Sequence, residues 1–402
     1  MLPHILEFAP ARDAEIFAVA PAAPAVFVLR GEAGTEPYVS KTANLRRRLM
    51  RLLGPPEQAT KRLNLRERVR MIEYAATGSD FESGLVLYRA LRQEFPKTYG
   101  KRLRLRPAPL VRLILENEYP RAAVTTRIAT LRGRSLYYGP FATRAAAEKF
   151  ANDSLDFFLM RRCTDDLHPD PAFPGCIYSE MKMCLAPCFK GCTDEQYREE
   201  VERVREYFDT RGQSLMRELG VRRDEASAAL EFEQAAALHA RTEKLAPVVQ
   251  QLPEIVRRID QLGGLLVQPS AEADSVALFR VEAGRLNGPV QFALQHKSAE
   301  RAGKPQSMEA RVIEALAALP PLAAATAPET MEELAYLKRW YYRTSKVGEI
   351  FFTDHKGELP LRRVVRGISR VFRGEKPAGD LSETACDYWV NRGRAAELNS
   401  EE

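Results

Sequence analysis

Tyr38-Val39-Ser40-Lys41-Thr42-Ala43-Asn44-Leu45-Arg46-Arg47-Arg48-Leu49 is the stretch on which the reading of the N-terminal fold turns. Its first residues close a hairpin. The β-branched and aromatic run Val26 to Arg30 and the short Tyr38 to Ser40 flank the turn Gly31 to Pro37, as two paired strands do. Its last residues open a helix, for which the reading is Lys41 to Leu53. Leu45, Leu49, Leu52 and Leu53 then fall on one stripe, the arginines on the other, and Gly54-Pro55-Pro56 supplies the stop. Working outward, Val69 to Tyr74 reads as a strand and Asp80 to Phe95 as a helix ended by Pro96. The order is β-β-α-β-α within about 75 residues.

Downstream, strand-like Leu110 to Leu115 and Ala123 to Thr130, a turn at Gly139-Pro140 and a helix from Thr143 to Leu159 precede a loop dense in cysteine and proline. Charged, alanine-rich segments follow, Asp194 to Leu219 and Arg222 to Leu252, read as two antiparallel helices around Gly220. Strand patterns return at Leu265 to Gln268, Val276 to Val281 and Val290 to Leu294. Helices at Met308 to Leu319 and Met331 to Arg343 and a strand at Glu349 to Thr353 complete the pattern. The fold class is α+β and multidomain, as 402 residues lead one to expect. No internal repeat and no phosphate loop of the ATPase kind is present.

Composition excludes several classes. With 45% hydrophobic and 28% charged residues the chain is ordinary globular material. The apolar run Ile16 to Leu29 is broken by Pro21 and Pro24 and is too short to span a membrane, so no membrane association and a cytoplasmic location are expected. The net charge of +6 is unevenly spread. Residues 41 to 112 hold 18 Lys or Arg against six Asp or Glu, a surplus of 12, so the remainder of the chain is net acidic by 6. Such polarity points to a polyanion at the N-terminal end. Arg46, Arg47, Arg51, Lys101, Arg102 and Arg104 are the candidate phosphate contacts. The five histidines are scattered singly and suggest no shared chemistry.

Five of the six cysteines, Cys163, Cys176, Cys184, Cys188 and Cys192, fall within 30 residues. Thiolates hold soft or borderline metals, and four complete a shell for zinc or an iron–sulfur cluster. No signal peptide precedes them, so structural disulfides do not fit. Spacing alone leaves the metal open.

Several of these segments together resemble the UvrC subunit of the bacterial excinuclease. Val26-Phe27, Tyr38-Val39-Ser40-Lys41 and Asn44 to Leu49 look like its GIY-YIG nuclease domain, expected over 22–105. Tyr137-Tyr138-Gly139-Pro140-Phe141, Arg162-Cys163, and Cys176 with Cys184-Leu185-Ala186-Pro187-Cys188 look like its linker and cysteine-rich region, expected over 106–193. Glu225-Ala226-Ser227, Leu230 to Glu233 and Ala235 to Leu238 resemble the UVR hairpin, expected at about 212–247 within a helical segment 194–252. An α/β segment, 253–402, resembles in part the region after UVR, through Phe279 to Gly288. The family's RNase H-like and helix-hairpin-helix domains have no counterpart in this pattern.

The resemblance implies DNA and a UvrB-like protein as partners, the latter through Leu230, Phe232, Ala236 and Leu238. It implies a four-iron cluster on Cys163, Cys176, Cys184 and Cys188, with zinc as the alternative and Cys192 outside the set. In GIY-YIG chemistry a tyrosine helps activate water, an arginine stabilises phosphate charge and a glutamate holds a divalent ion. Tyr38, Lys41 and Arg48 match the second tyrosine, the lysine and the arginine. Phe27 stands for the first tyrosine, Ala25 and Ser40 for two glycines, and Tyr99 for an asparagine; the metal glutamate falls at Leu87. Glu82 and Glu94 lie at the wrong helical positions to replace it. Bound catalytic magnesium is therefore not expected, and DNA binding is expected to outlive cleavage. Two alternatives remain at this point: an active single-incision protein of the Cho type, and a metal-stabilised adaptor that recruits proteins.

Overall fold

The computed structural model describes residues 2–55, 63–103, 105–130, 133–164, 167–295 and 306–376. The hairpin around Gly31 is extended by two elements that the pattern did not announce: β1 (His4–Glu7) and the short helix α1 (Asp13–Val19). Then come β2 (Ala25–Arg30), β3 (Tyr38–Thr42), α2 (Leu45–Leu53) and β4 (Met71–Ala76). The sheet order is β1-β4-β2-β3, with antiparallel pairing and Phe27 opposite Ser40. Lys41 and Thr42 belong to the strand, so the helix starts four residues later than its stripe suggested. Asn44 decides this boundary: its side chain accepts from the Arg47 N–H at 2.9 Å and caps the helix. Leu45, Leu49, Leu52 and Leu53 are buried against Phe27, Leu29 and Ile72, on one face of the sheet.

The other face carries α3 (Asp80–Glu94), capped by Ser79, which is followed by α4 (Tyr99–Leu103). The second sheet joins β5 (Leu110–Ile114), β6 (Arg121–Thr125) and β7 (Leu136–Gly139), and α5 (Arg144–Leu155) covers it. The cysteine loop holds α6 (Ile177–Glu180). Three helices follow where two were expected: α7 (Asp194–Asp209), α8 (Gln213–Ala228) and α9 (Phe232–Gln250). Gly220 lies inside α8. The breaks fall at Gly212, with φ +88°, and at Leu230, with φ +63°. Gly212 needs no Cβ there, whereas Leu230 adopts the left-handed region without the usual glycine and so left no signal. The hairpin expected over 212–247 is the pair α8 and α9.

Beyond it, β8 (Arg257–Arg258) completes the second sheet in the order β6-β5-β7-β8. The third sheet combines β9 (Gly264–Pro269), β10 (Ser275–Glu282) and β11 (Arg285–Ala293). After α10 (Met308–Ala317) and α11 (Ala327–Tyr341), β12 (Glu349–Phe352) joins its edge in the order β11-β10-β9-β12, and α12 (Leu361–Phe372) follows. The expected α+β class therefore holds, with three antiparallel sheets of four strands among the described residues.

One apolar core ignores the expected boundaries. Phe81, Leu85 and Tyr88 of α3 pack with the second sheet, with Phe279 and with Tyr336 and Trp340 of α11. Gly84 permits this approach, because a Cβ there would stand 3.2 Å from the Tyr336 ring. Polar contacts reinforce it: the Tyr88 and Tyr99 hydroxyls both donate to Glu332, and Arg89 donates to the carbonyls of Leu286 and Gly288. Helix α3 thus serves two masters, the N-terminal sheet and the C-terminal unit. No helix among the described residues is long and apolar enough to cross a membrane.

Candidate functional site: a tyrosine–arginine pair without a carboxylate, and a cysteine loop

Strand alternation sorts the motif residues. On β3, Tyr38, Ser40 and Thr42 share one face and Val39 and Lys41 the other. Tyr38 therefore lies on the α2 side, where Arg48 Nη2 donates to its hydroxyl at 2.8 Å. Phe27, wholly buried, places its ring 6.0 Å from that of Tyr38. The structure brings Tyr38 and Arg48 together as the sequence suggested, but it sends Lys41 elsewhere. Lys41 reaches the start of α3 and pairs with Asp80 at 2.7 Å; Arg343, just past α11, pairs with the second Asp80 oxygen at 2.9 Å. Lys41 heads the influences that hold the Asp80 carboxyl below its usual range.

No carboxylate pairs with Arg48 or Tyr38 among the described residues. Leu87 is half-buried on α3 and offers no oxygen. Two acidic residues, Glu94 of α3 and Glu73 of β4, are committed to Arg30. Glu94 forks Arg30 through two bonds of 2.7 and 2.8 Å, and buried Glu73 takes the Nε of the same guanidinium. Arg30 thus occupies the space between two carboxylates with a fixed cation, a triad the sequence reading missed. Its signal was present only as charge at inward-facing strand positions. The guanidinium outweighs the burial penalty on Glu73 and leaves that carboxyl lowered.

Glu82 is 2% exposed and accepts from the Gly78 N–H at 2.7 Å. Burial, opposed by that bond, pushes its pKa up to about 7. A carboxyl raised in the folded state holds its proton longer than in the unfolded chain, so this group's contribution falls as pH rises from about 4.5 to about 7. The shift corresponds to roughly 3 kcal/mol at most. Glu82→Gln keeps an acceptor for Gly78 and removes the charge. We expect it to melt near wild type at pH 5 and to be more stable by about 1–3 kcal/mol at pH 8. Parallel thermal melts at the two pH values check this, and equal melting at both would refute it.

The basic surface is real but uneven. Arg47, Arg51 and Lys101 are exposed and form no ion pair among the described residues, Arg46 is spent on the carbonyls of Ala18 and Ala20, and Arg102 pairs with Glu36 over the Phe95 ring. Arg104 lies outside the described residues. A cleft of about 310 Å³ opens beside Tyr38, with Arg68 and Arg102 on its wall.

In the cysteine loop, the five described thiols are free of disulfides and half-buried. Burial, followed by the influence of Cys163, Cys188 and Cys176, pushes the Cys184 thiol up to about 11; Cys188 is raised by burial and then by Cys176. Cys163 and Cys176 thus each act on both Cys184 and Cys188. Cys192 is raised by burial and by Asp194 before Cys188, which sets it at the margin. Cys184 Sγ accepts from the Ala186 N–H at 3.3 Å, and Cys163 Sγ from Arg161 at 3.5 Å. Lys182, Ala186 and Lys190 all adopt left-handed backbone, a cost borne by residues other than glycine. The donor chemistry fits a thiophilic metal. The spacing is open: among the described residues no three ligand-type side chains stand in metal-holding geometry.

On the helical hairpin, Leu230 and Phe232 are 71% and 67% exposed, and Ala236 is exposed. Leu238, expected to be exposed with them, is buried at 7% because it faces the large core.

The middle of the chain matches a known family model. Residues 110–207, from β5 through the cysteine loop to α7, match the UvrC/Cho excinuclease middle domain. UvrABC system protein C of Rhodospirillum rubrum is 26% identical over 75% of this chain and 46% of its own length. The proteins of the same name from Carboxydothermus hydrogenoformans and Acidobacterium capsulatum are 30% and 32% identical over 54% of this chain, and over 35% and 33% of theirs. The chain is UvrC-like. It spans less than half the length of these curated relatives. No solved structure matches it. In this UvrC-like chain the matched segment contains all four cysteines of the expected set, whereas the Tyr38–Arg48 pair lies outside it.

Proposed function

We propose that this UvrC-like chain is a nucleotide-excision-repair protein that binds DNA through its N-terminal basic face and has lost incision at its GIY-YIG-like site. The observation that carries the reading is the Tyr38–Arg48 pair itself: the arginine persists without a carboxylate partner among the described residues, while Leu87, the position to which the resemblance assigns the metal glutamate, offers no ligand oxygen. Charge suffices for phosphate contact. Hydrolysis needs the metal as well. A UvrB-like partner docks on the α8–α9 hairpin, at the end where Leu230, Phe232 and Ala236 are exposed. Cys163, Cys176, Cys184 and Cys188 hold the metal, a four-iron cluster in preference to zinc.

Salt dependence tests the DNA reading. If about four phosphates are contacted, affinity for duplex DNA falls by roughly a hundredfold between about 50 and 200 mM salt, alike for all sequences. Charge reversal at Arg47, Arg51 and Lys101 lowers both the affinity and the salt slope. Binding unchanged across that range favours the adaptor instead.

A further inference from the structure

The most arginine-rich helix of the C-terminal unit has no role in the reading above. Residues 361–376 contain six basic residues and one acidic residue, in the part of the chain whose net charge is otherwise acidic. On α12, Arg362, Arg363, Arg366, Arg370 and Arg373 fall within about 100° of helical arc, while Val364, Gly367, Ile368 and Val371 occupy the opposite side. That opposite side is buried on the third sheet. Gly367 fixes the orientation, since a Cβ there would stand 2.1 Å from the Phe351 ring of β12. The helix cannot turn its arginines inward.

Two of the five arginines are already used. Arg370 forks Glu349 of β12 at 2.8 and 2.9 Å, and Arg373 pairs with Glu375 at 2.7 Å. Arg362, Arg363 and Arg366 are exposed and have no carboxylate partner among the described residues. Two of them lie in the first helical turn, where acidic residues are preferred and none is present. Local stability therefore does not explain their placement.

We propose that this face of α12 is a second phosphate-backbone contact for nucleic acid, separate from the N-terminal basic patch. The proposal rests on the DNA-binding reading and extends it to a region that reading leaves without a role. The arginines without a carboxylate partner, Arg362 to Arg366, run about 6 Å along the helix axis, room for about two neighbouring phosphates on one strand. Guanidinium groups suit phosphate oxygens, and the three without a carboxylate partner among the described residues are free to displace counterions. An acidic protein segment is the rival occupant, and the test separates the two.

The experiment uses the full chain, a labelled duplex of mixed sequence and titrations at several salt concentrations. Arg362→Ser with Arg363→Ser and Arg366→Ser is expected to weaken binding about tenfold or more at low salt and to reduce the salt slope by about two to three. Replacing the same three with lysine keeps most of both. Arg366→Ser alone reduces the slope by about one and stands in if the triple variant melts early. If the folded serine variants keep wild-type affinity and slope while reversal of Arg47, Arg51 and Lys101 abolishes binding, this inference falls and the DNA reading stands. Wild-type protein that shows no salt-dependent DNA binding overturns both.

Discussion

Purified protein given duplex DNA and magnesium or manganese leaves the DNA intact, and a UvrB-like loader on a lesion-bearing duplex does not change that. The expected deficit is at least about a thousandfold against an intact site, because the missing groups act on one transition state. Leu87 cannot hold an ion, Phe27 has no hydroxyl, and Lys41, on the opposite face of β3 from Tyr38, is paired with Asp80. Leu87→Glu alone restores at most weak cutting, since it supplies only the ligand. The combination Leu87→Glu, Phe27→Tyr and Ser40→Gly restores more, by returning the hydroxyl and the small residue opposite it in the β2–β3 register. Nicking assays on supercoiled and lesion-bearing DNA read both results. Robust metal-dependent incision by the unaltered chain, lost in Arg48→Ala, would establish the active Cho-type reading instead.

The N-terminal sheet was legible because its signals are local. Apolar β-branched and aromatic content placed β2 and β3, the leucine stripe placed α2, and Asp80 to Pro96 bounded α3 to within a residue. The Tyr38–Arg48 pair was suggested by the resemblance to the GIY-YIG motif, and the structure joins the two side chains. What stayed hidden depends on distant partners. The fork of Arg30 on Glu94 joins residues 64 apart, and the bond from Tyr88 to Glu332 joins residues 244 apart. Nothing near Leu230 announces its left-handed backbone, so the break between α8 and α9 had no local mark and Gly220 drew it away. The arginines of α12 were visible as letters, but their common exposed face depends on the Gly367–Phe351 contact.

Anaerobically purified protein carries about four irons and four sulfides per chain, and Cys184→Ser abolishes that content while Cys192→Ser retains it. The asymmetry follows from position. The Cys184 thiol is pushed up to about 11 by desolvation and by the three other members of the set, whereas Cys192 answers to burial, then to Asp194, and only then to Cys188. A raised thiol is a poor ligand until a cation replaces its proton. Metal entry must therefore release protons, and affinity must fall as pH is lowered. Metal–sulfur bonds would draw the open loop together and offset the left-handed backbone at Lys182, Ala186 and Lys190. Loss of metal should accordingly loosen residues 163–192 and lower the melting temperature, because Leu185 and Cys192 pack against the large core and Ala186 is buried. Zinc in place of iron preserves the ligand set and changes only the metal. Protein that binds neither, or a Cys192→Ser variant that loses metal as fully as Cys184→Ser, would refute the assignment of these four cysteines.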